Sequence, residues 1–189
     1  MSDFTPRPIP VPLLLTERLR LDPLSLEHAP SYTEHFVDYE VIRHLSGTVP
    51  WPYPEDGVTT YFRDYVFPGM GERCWHWALC LQDRPGETIG SIGLFWPGIP
   101  ENRGFWLGRA FWGNGYMGEA VEAVNTFAFD ELGFERLILS NAVGNQRSRR
   151  VKERNGATFI GIEPSSFVGE EYTESERWLL TLEAWCSRA

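Results

Sequence analysis

Leu107-Gly108-Arg109-Ala110-Phe111-Trp112-Gly113-Asn114-Gly115-Tyr116-Met117-Gly118-Glu119-Ala120 is the stretch from which the fold is read. Just before it, Arg103-Gly104-Phe105-Trp106-Leu107 is short, aromatic and apolar, as strands are. Beyond it, Val121, Val124, Phe127, Ala128 and Leu132 recur at helical spacing. Between strand and helix lie Gly113, Gly115 and Gly118. A strand, a glycine-rich turn and a helix start aim several unpaired backbone N–H groups at one point, at the positive end of a helix dipole. That is an anion site, and a phosphate or pyrophosphate is its usual occupant.

The three glycines spell G-x-G-x-x-G, which is also the dinucleotide fingerprint. That fingerprint needs a tight turn straight off the strand and an acid at the end of the next strand to hold a ribose. Here five residues separate Leu107 from Gly113, and the next expected strand, 136–141, ends in Ser140-Asn141. The context argues against a nicotinamide dinucleotide.

Trp112-Gly113-Asn114-Gly115-Tyr116-Met117-Gly118-Glu119-Ala120 resembles the W-G-x-G-Y-x-x-E-A signature of the Gcn5-related N-acetyltransferases, in the RimJ/RimL-like group that modifies ribosomal-protein N-termini. Downstream, Asn145-Gln146-Arg147-Ser148, followed by Gly156-Ala157, resembles that group's N-x-x-S…G-[AF] signature. The likeness runs from about Leu14 to Trp185. It implies one α/β domain over 13–189: a mixed, mostly antiparallel sheet flanked by helices, with a parallel central pair splayed at the acetyl-CoA site. It also implies acetyl-CoA as acetyl donor and no metal. The donor's pyrophosphate would lie on Arg109, Gly113, Asn114, Gly115, Tyr116, Met117 and Gly118, and the rest of it along Asn145, Arg147, Ser148 and Lys152. Trp112 stands where many relatives have Gln or Arg, and Met117 where Gly or Ala is usual; neither change removes a backbone donor.

Composition agrees with a globular chain: 189 residues, 42% hydrophobic and 14% aromatic, enough for a substantial core. The net charge of −9 makes nonspecific nucleic-acid binding unattractive and favours solubility or a cationic partner. Val11-Pro12-Leu13-Leu14-Leu15 is too short and proline-broken for a secretory h-region, and nothing approaches a membrane span. Cys74 and Cys80 fall in one expected strand, too far apart to bond, which fits a cytoplasmic protein.

Taken in order, residues 1–12, with Pro6, Pro8, Pro10 and Pro12, form an extended arm, read as a loose terminus in preference to a docking tail. Leu19 and Leu21 begin the first strand; Ser25 caps a helix; a second helical piece covers 38–45. Pro50-Trp51-Pro52-Tyr53-Pro54 is a rigid loop, and a helix follows Glu55-Asp56. Residues 74–82 and 88–96 form a hairpin, with Gly90 and Gly93 marking a bulge or a close approach. Strands at 102–109, 136–141, 159–162 and 178–182 and a basic helix at 145–155 complete the reading.

Acetyl transfer to an amine needs a polarised carbonyl, a route for the amine's proton and a proton for the leaving thiolate. Leu107 and Gly108 lie where the family splays its strands and offers a backbone N–H to the carbonyl; an ordinary bulge is the plain alternative for Gly108. Glu101 and His76 are the candidate bases, each weighed against an exposed loop acid and a strand histidine. The family's acid two residues before the strand glycine is here Asn102. Many relatives place a tyrosine proton donor where this chain has Lys152. Ser148, as in the ribosomal-protein group, is the first donor candidate, set level with a hydroxyl that bonds its own helix turn. Lys152 is the second, although a lysine on that helix face reads as solvated, and water is the donor if neither acts. Arg147, Arg149 and Arg150 are placed to meet phosphates or solvent. Glu119 suits a first helical turn. Trp51 and Tyr53 either line the acceptor site or pin their loop to the core.

The expectation is therefore an acetyl-CoA-dependent N-acetyltransferase that works by direct attack. Its acceptor is a primary amine, either a protein N-terminus or a small cationic molecule, with no nucleic-acid or membrane partner. The oligomeric state stays open, a homodimer included. The rivals are a non-catalytic acyl-CoA-binding module and a nucleotide-dependent oxidoreductase.

Overall fold

The structure is a computed structural model that describes residues 8–97 and 101–188. Five strands form one antiparallel sheet in sequence order: β1 (Leu14–Leu15), β2 (Leu19–Pro23), β3 (Cys74–Leu81), β4 (Gly90–Phe95) and β5 (Arg103–Leu107). A second antiparallel sheet follows, with β8 (Glu174–Thr181) between β6 (Arg136–Ala142) and β7 (Thr158–Pro164). Helices α1 (Ala29–Phe36), α2 (Tyr39–Ile42) and α3 (Gly57–Tyr61) lie between β2 and β3. Helix α4 (Tyr116–Thr126) joins β5 to β6, α5 (Gln146–Arg154) joins β6 to β7, and α6 (Leu182–Cys186) ends the chain.

The large sheet separates two cores. Trp75, Trp77 and Leu79 of β3 pack with Ile92 and with Val121 and Val124 of α4, whereas Ala78 joins Tyr32, Phe36, Ile42 and Phe62 on the other side. That is the period-two alternation of a strand. Every residue of β3 is buried, and each large apolar side chain there stabilises the fold by roughly 1.5–3 kcal/mol.

The α/β architecture is the expected one, but its central pair splays further than a mixed sheet allows. At its start, Asn102 donates its N–H to Ile138 O and accepts the Ile138 N–H on Oδ1, both at 2.7 Å. No hydrogen-bond ladder joins β5 and β6 beyond that point among the described residues, so the strands sort into two sheets. The side chain of Asn102, standing where relatives carry an acid, thus replaces a backbone partner at the hinge of the gap.

The arm differs from expectation too. Pro6 lies outside the described residues, but from Ile9 on the segment is held. Ile9 N–H bonds Gly71 O at 2.8 Å, and the indoles of Trp75 and Trp77 donate to Ile9 O and Pro12 O at 2.9 and 2.7 Å. Two buried indoles need acceptors, and an extended, proline-rich segment has unpaired carbonyls to offer.

Candidate active site

Helix α4 begins at Gly115, whose φ of +82° matches that of Gly113. An L-residue is strained at that angle, so glycine is required at both places. A Cβ on Gly113 or Gly118 would meet nothing within 4 Å, so the backbone there faces open space. The first helical bond is Glu119 N–H to Gly115 O. Among the described residues, none of the N–H groups of residues 113–118 is bonded to another protein group. The turn is clamped from behind. Arg18 Nη1 donates to Asn114 O at 3.0 Å, and its guanidinium lies 4.8 Å from the Tyr116 ring centre. Glu119 accepts from the Arg18 N–H and Nε at 2.7 and 2.8 Å and from Thr16 Oγ1 at 2.5 Å. Arg18 and Thr16, with the hydroxyl, hold the Glu119 carboxyl below its ordinary value despite partial burial. Glu119 therefore ties the β1–β2 turn to α4.

The turn forms one wall of a cleft of about 470 Å³ that runs into the gap between β5 and β6. The register places Gly90 opposite Leu107, and Gly108 N–H donates to Ile89 O at 2.8 Å. By strand alternation, Gly104, Trp106 and Gly108 face β4, while Phe105 and Leu107 turn their N–H and C=O towards the gap. Gly108 thus has no N–H to offer a substrate. Leu107 does, because only its carbonyl is taken, by Trp112 Nε1 at 2.7 Å. Arg109 is exposed and does not line the cleft.

The floor holds buried charge. Glu101 Oε2 accepts from Ser140 N–H and Oγ at 3.1 and 2.7 Å. Burial raises its carboxyl above the ordinary value, opposed by Ser140 and by Lys152. Lys152 is 2% exposed, not the solvated lysine that the sequence suggested. Its position on α5 points it inwards at Phe105, with Nζ 5.6 Å from the ring centre and donating to Ser148 Oγ at 2.8 Å. Burial and the neighbouring Arg103 pull the Lys152 pKa down to about 7, against Glu101 and Glu176. Arg103 is 3% exposed and itself pulled down to about 10 by burial. It gives Nη1 to Asn125 Oδ1 at 2.5 Å, and among the described residues its Nε and Nη2 have no partner.

On α5, Asn145 caps the helix by accepting the Ser148 N–H on Oδ1 at 3.2 Å. Arg147 stacks on Trp112, with Cζ 3.7 Å from the ring centre, and lines the cleft, as does Arg150. Arg149 does not. It bonds Glu153 and Glu176 at 2.8 and 2.9 Å, because the helical period turns it away from the turn. His76 is also outside the cleft lining. Its buried ring lies over Gly93, where a Cβ would come within 2.6 Å, and against Phe95, 5.1 Å between centres. Burial lowers its pKa to about 4. Tyr53 packs on Phe36 and over Gly57, pinning its loop to the core. Trp51 is 43% exposed beside Tyr39 in a separate hollow with Glu170 and Glu171. Away from the cleft, Asp22, His28 and Cys80 bring ligand atoms within 4.8 Å of one another, but Asp22 already pairs with Arg20 at 2.7 Å and His28 Nδ1 with Ser25 at 3.0 Å.

Sequence reasoning missed Arg18, Arg103 and Ser140. Arg18 meets Glu119 across 101 positions of sequence, a pairing that no local pattern announces. A basic residue inside an apolar strand was the available signal for Arg103.

Residues 18–158 match the family model of the acetyltransferase (GNAT) domain. An uncharacterized protein of Bacillus subtilis, YkkB, is 30% identical over 149 residues, 76% of this chain and 83% of that one. The FsC-acetyl coenzyme A-N(2)-transacetylase of Aspergillus fumigatus is 28% identical over 203 residues, covering 92% of this chain and 83% of that protein. Among solved structures, RimL, a ribosomal L7/L12 alpha-N-protein acetyltransferase in complex with coenzyme A, superposes with a TM-score of 0.74 at 19% identity, covering 92% of this chain and 98% of that one. A family model that covers most of the chain, over a fold with an open-donor turn beside a splayed strand pair, leaves one assignment: the chain is an acyltransferase of the GNAT family.

Proposed function

We propose that the protein moves an acetyl group from acetyl-CoA to a primary amine by direct attack within a ternary complex. The observation that carries this reading is the convergence, on one cleft, of the open N–H groups of 113–118, the inward Leu107 N–H, the Ser148 hydroxyl and the Glu101 carboxylate. The turn suits the donor's pyrophosphate, with Arg147 and Arg150 as nearby cations. Leu107 N–H suits the thioester oxygen as charge develops on it. Glu101, its carboxyl raised by burial, is a better base than a solvated acid and takes the proton of the attacking nitrogen. An α-amine with a reference pKa of roughly 8 needs little further help. Ser148 protonates the departing thiolate.

The acceptor class is a protein N-terminus or a small cationic amine. The net charge of −9 favours a cation. Amine-dependent thiol release from acetyl-CoA, measured over a panel of N-terminal peptides and polyamines, tests the proposal. Turnover on at least one amine is expected. Tight CoA binding without turnover on any amine would reduce the site to a binding module.

A further inference from the structure

The bond between Lys152 and Ser148 carries more than packing. A structural buried lysine ends on a carboxylate, because an isolated buried ammonium is costly. Lys152 Nζ instead ends on a hydroxyl at 2.8 Å, although Glu101 and Glu176 act on it from elsewhere in the floor. Glu176 is already occupied by Arg149 at 2.9 Å and Asn141 at 2.9 Å, and Glu101 by Ser140. Ser148 Oγ receives the lysine's proton, and among the described residues its own proton has no acceptor. That proton is free for the cleft. A serine hydroxyl by itself is a far weaker acid than a thiol, so it gives a proton to a thiolate only if another replaces it as it leaves.

We infer that Lys152 is the positioning residue that makes Ser148 a proton donor, holding the hydroxyl in place and refilling its proton during thiolate departure. The inference rests on the acetyl-transfer reading. When the carbon–sulfur bond of the adduct breaks, the electron pair stays on sulfur and sulfur takes the Ser148 hydroxyl proton. The serine oxygen takes a proton from Lys152 Nζ, which is left neutral. The proton that Glu101 took from the amine returns through solvent in the cleft to Ser148, which lines it, and passes from the serine hydroxyl to Lys152, so each cycle closes with no net proton taken up. The groups facing Lys152 set its balance. Ser148 faces it from α5, Arg103 and Phe105 from β5, Glu101 from the segment before β5, and Glu176 from β8. Arg103 and burial keep the ammonium ready to lose its proton near pH 7, and the two acids keep it from losing it sooner.

The test compares acetyl-CoA with an acetyl thioester of a nitrothiophenol, whose thiolate leaves without protonation, using the full-length protein and one good amine. In the wild type, the ratio of kcat on acetyl-CoA to kcat on the aryl thioester should fall as pH rises through about 7, because only the charged lysine can refill the serine. In Lys152→Met and Lys152→Gln, kcat on acetyl-CoA should drop at least about tenfold with KM nearly unchanged, and kcat on the aryl thioester should stay within about threefold. An equal loss on both thioesters, or a wild-type ratio flat with pH, overturns the inference and leaves Lys152 as packing. The wild-type ratio decides the matter even if the variants do not fold. Absence of amine-dependent thiol release in the wild type would overturn the acetyl-transfer reading first, and the inference with it.

Discussion

The two walls of the cleft are built on opposite principles. At the turn before α4 the donors are backbone N–H groups, the decisive residues are glycines, and the surface is open. Across the cleft lies a floor of charged side chains: Glu101 lines it, Arg103, Lys152 and Glu176 are buried, and burial and neighbouring charges shift Glu101, Arg103 and Lys152 from their ordinary values. The first wall suits a ligand of fixed, permanent charge, because its partial charges do not titrate. The second suits proton traffic, because its groups sit close to changing charge. On the proposed function, binding and chemistry are separable, and substitutions should sort accordingly.

The largest effect is expected at the turn. Gly115→Val forces a β-branched residue to a φ of +82° and turns donors away from the pyrophosphate. Losing two charge-assisted bonds, at roughly 1.5–3 kcal/mol each, should weaken acetyl-CoA binding by about a thousandfold in calorimetry. The melting temperature should fall by several degrees, because the backbone strain at that φ costs roughly 1–3 kcal/mol, although the new side chain itself meets only Arg18 Nη2, at 3.5 Å. Unchanged affinity would mean that the pyrophosphate is held elsewhere.

His76 separates burial from catalysis, being buried without belonging to the cleft. Its pKa is about 4 in the fold against an ordinary 6.5, so the unfolded chain takes up a proton between those values and the folded one does not. The resulting stability is full above about pH 6.5 and falls by roughly 3 kcal/mol as pH drops to 4. His76→Gln should remove that slope from urea titrations run across this window while leaving kcat at neutral pH within about twofold. A large loss of kcat would put the imidazole back into the reaction.

Ser148→Ala should give the smallest of the three effects. We expect kcat on acetyl-CoA to fall at least about tenfold, with KM for acetyl-CoA moving less than about threefold. A change confined to KM would instead assign Ser148 to holding the donor and would blur the division between the two walls.

The same division explains what could be read in the chain. The open wall is local: strand, glycines and helix are contiguous from Arg103 to Leu132, and glycine at a positive φ leaves a mark in sequence. The hairpin and the basic helix are local in the same way. The floor is not. Glu101 meets Ser140 across 39 positions, and Arg149 meets Glu176 across 27. Whether Lys152 points at solvent or at Phe105 depends on where α5 docks, which the sequence of α5 leaves undecided. A buried acid beside a cleft and a buried spectator look alike in sequence, and so His76 stood as a candidate base beside Glu101, the first choice. Likewise Trp51 and Tyr53, neighbours in one proline-rich loop, part company only in three dimensions: Tyr53 into the core, Trp51 outwards. The missed strand β1 and helix α6 have two and five residues, too short for a hydrophobic period to register.

Direct attack from a donor held on one wall, with its protons handled by the other, requires both substrates to be present together. Initial rates of thiol release, taken over a grid of acetyl-CoA and amine concentrations, measure this most directly. Double-reciprocal lines that intersect are the predicted result. Parallel lines, the signature of an acetylated enzyme formed before the amine arrives, would contradict the account.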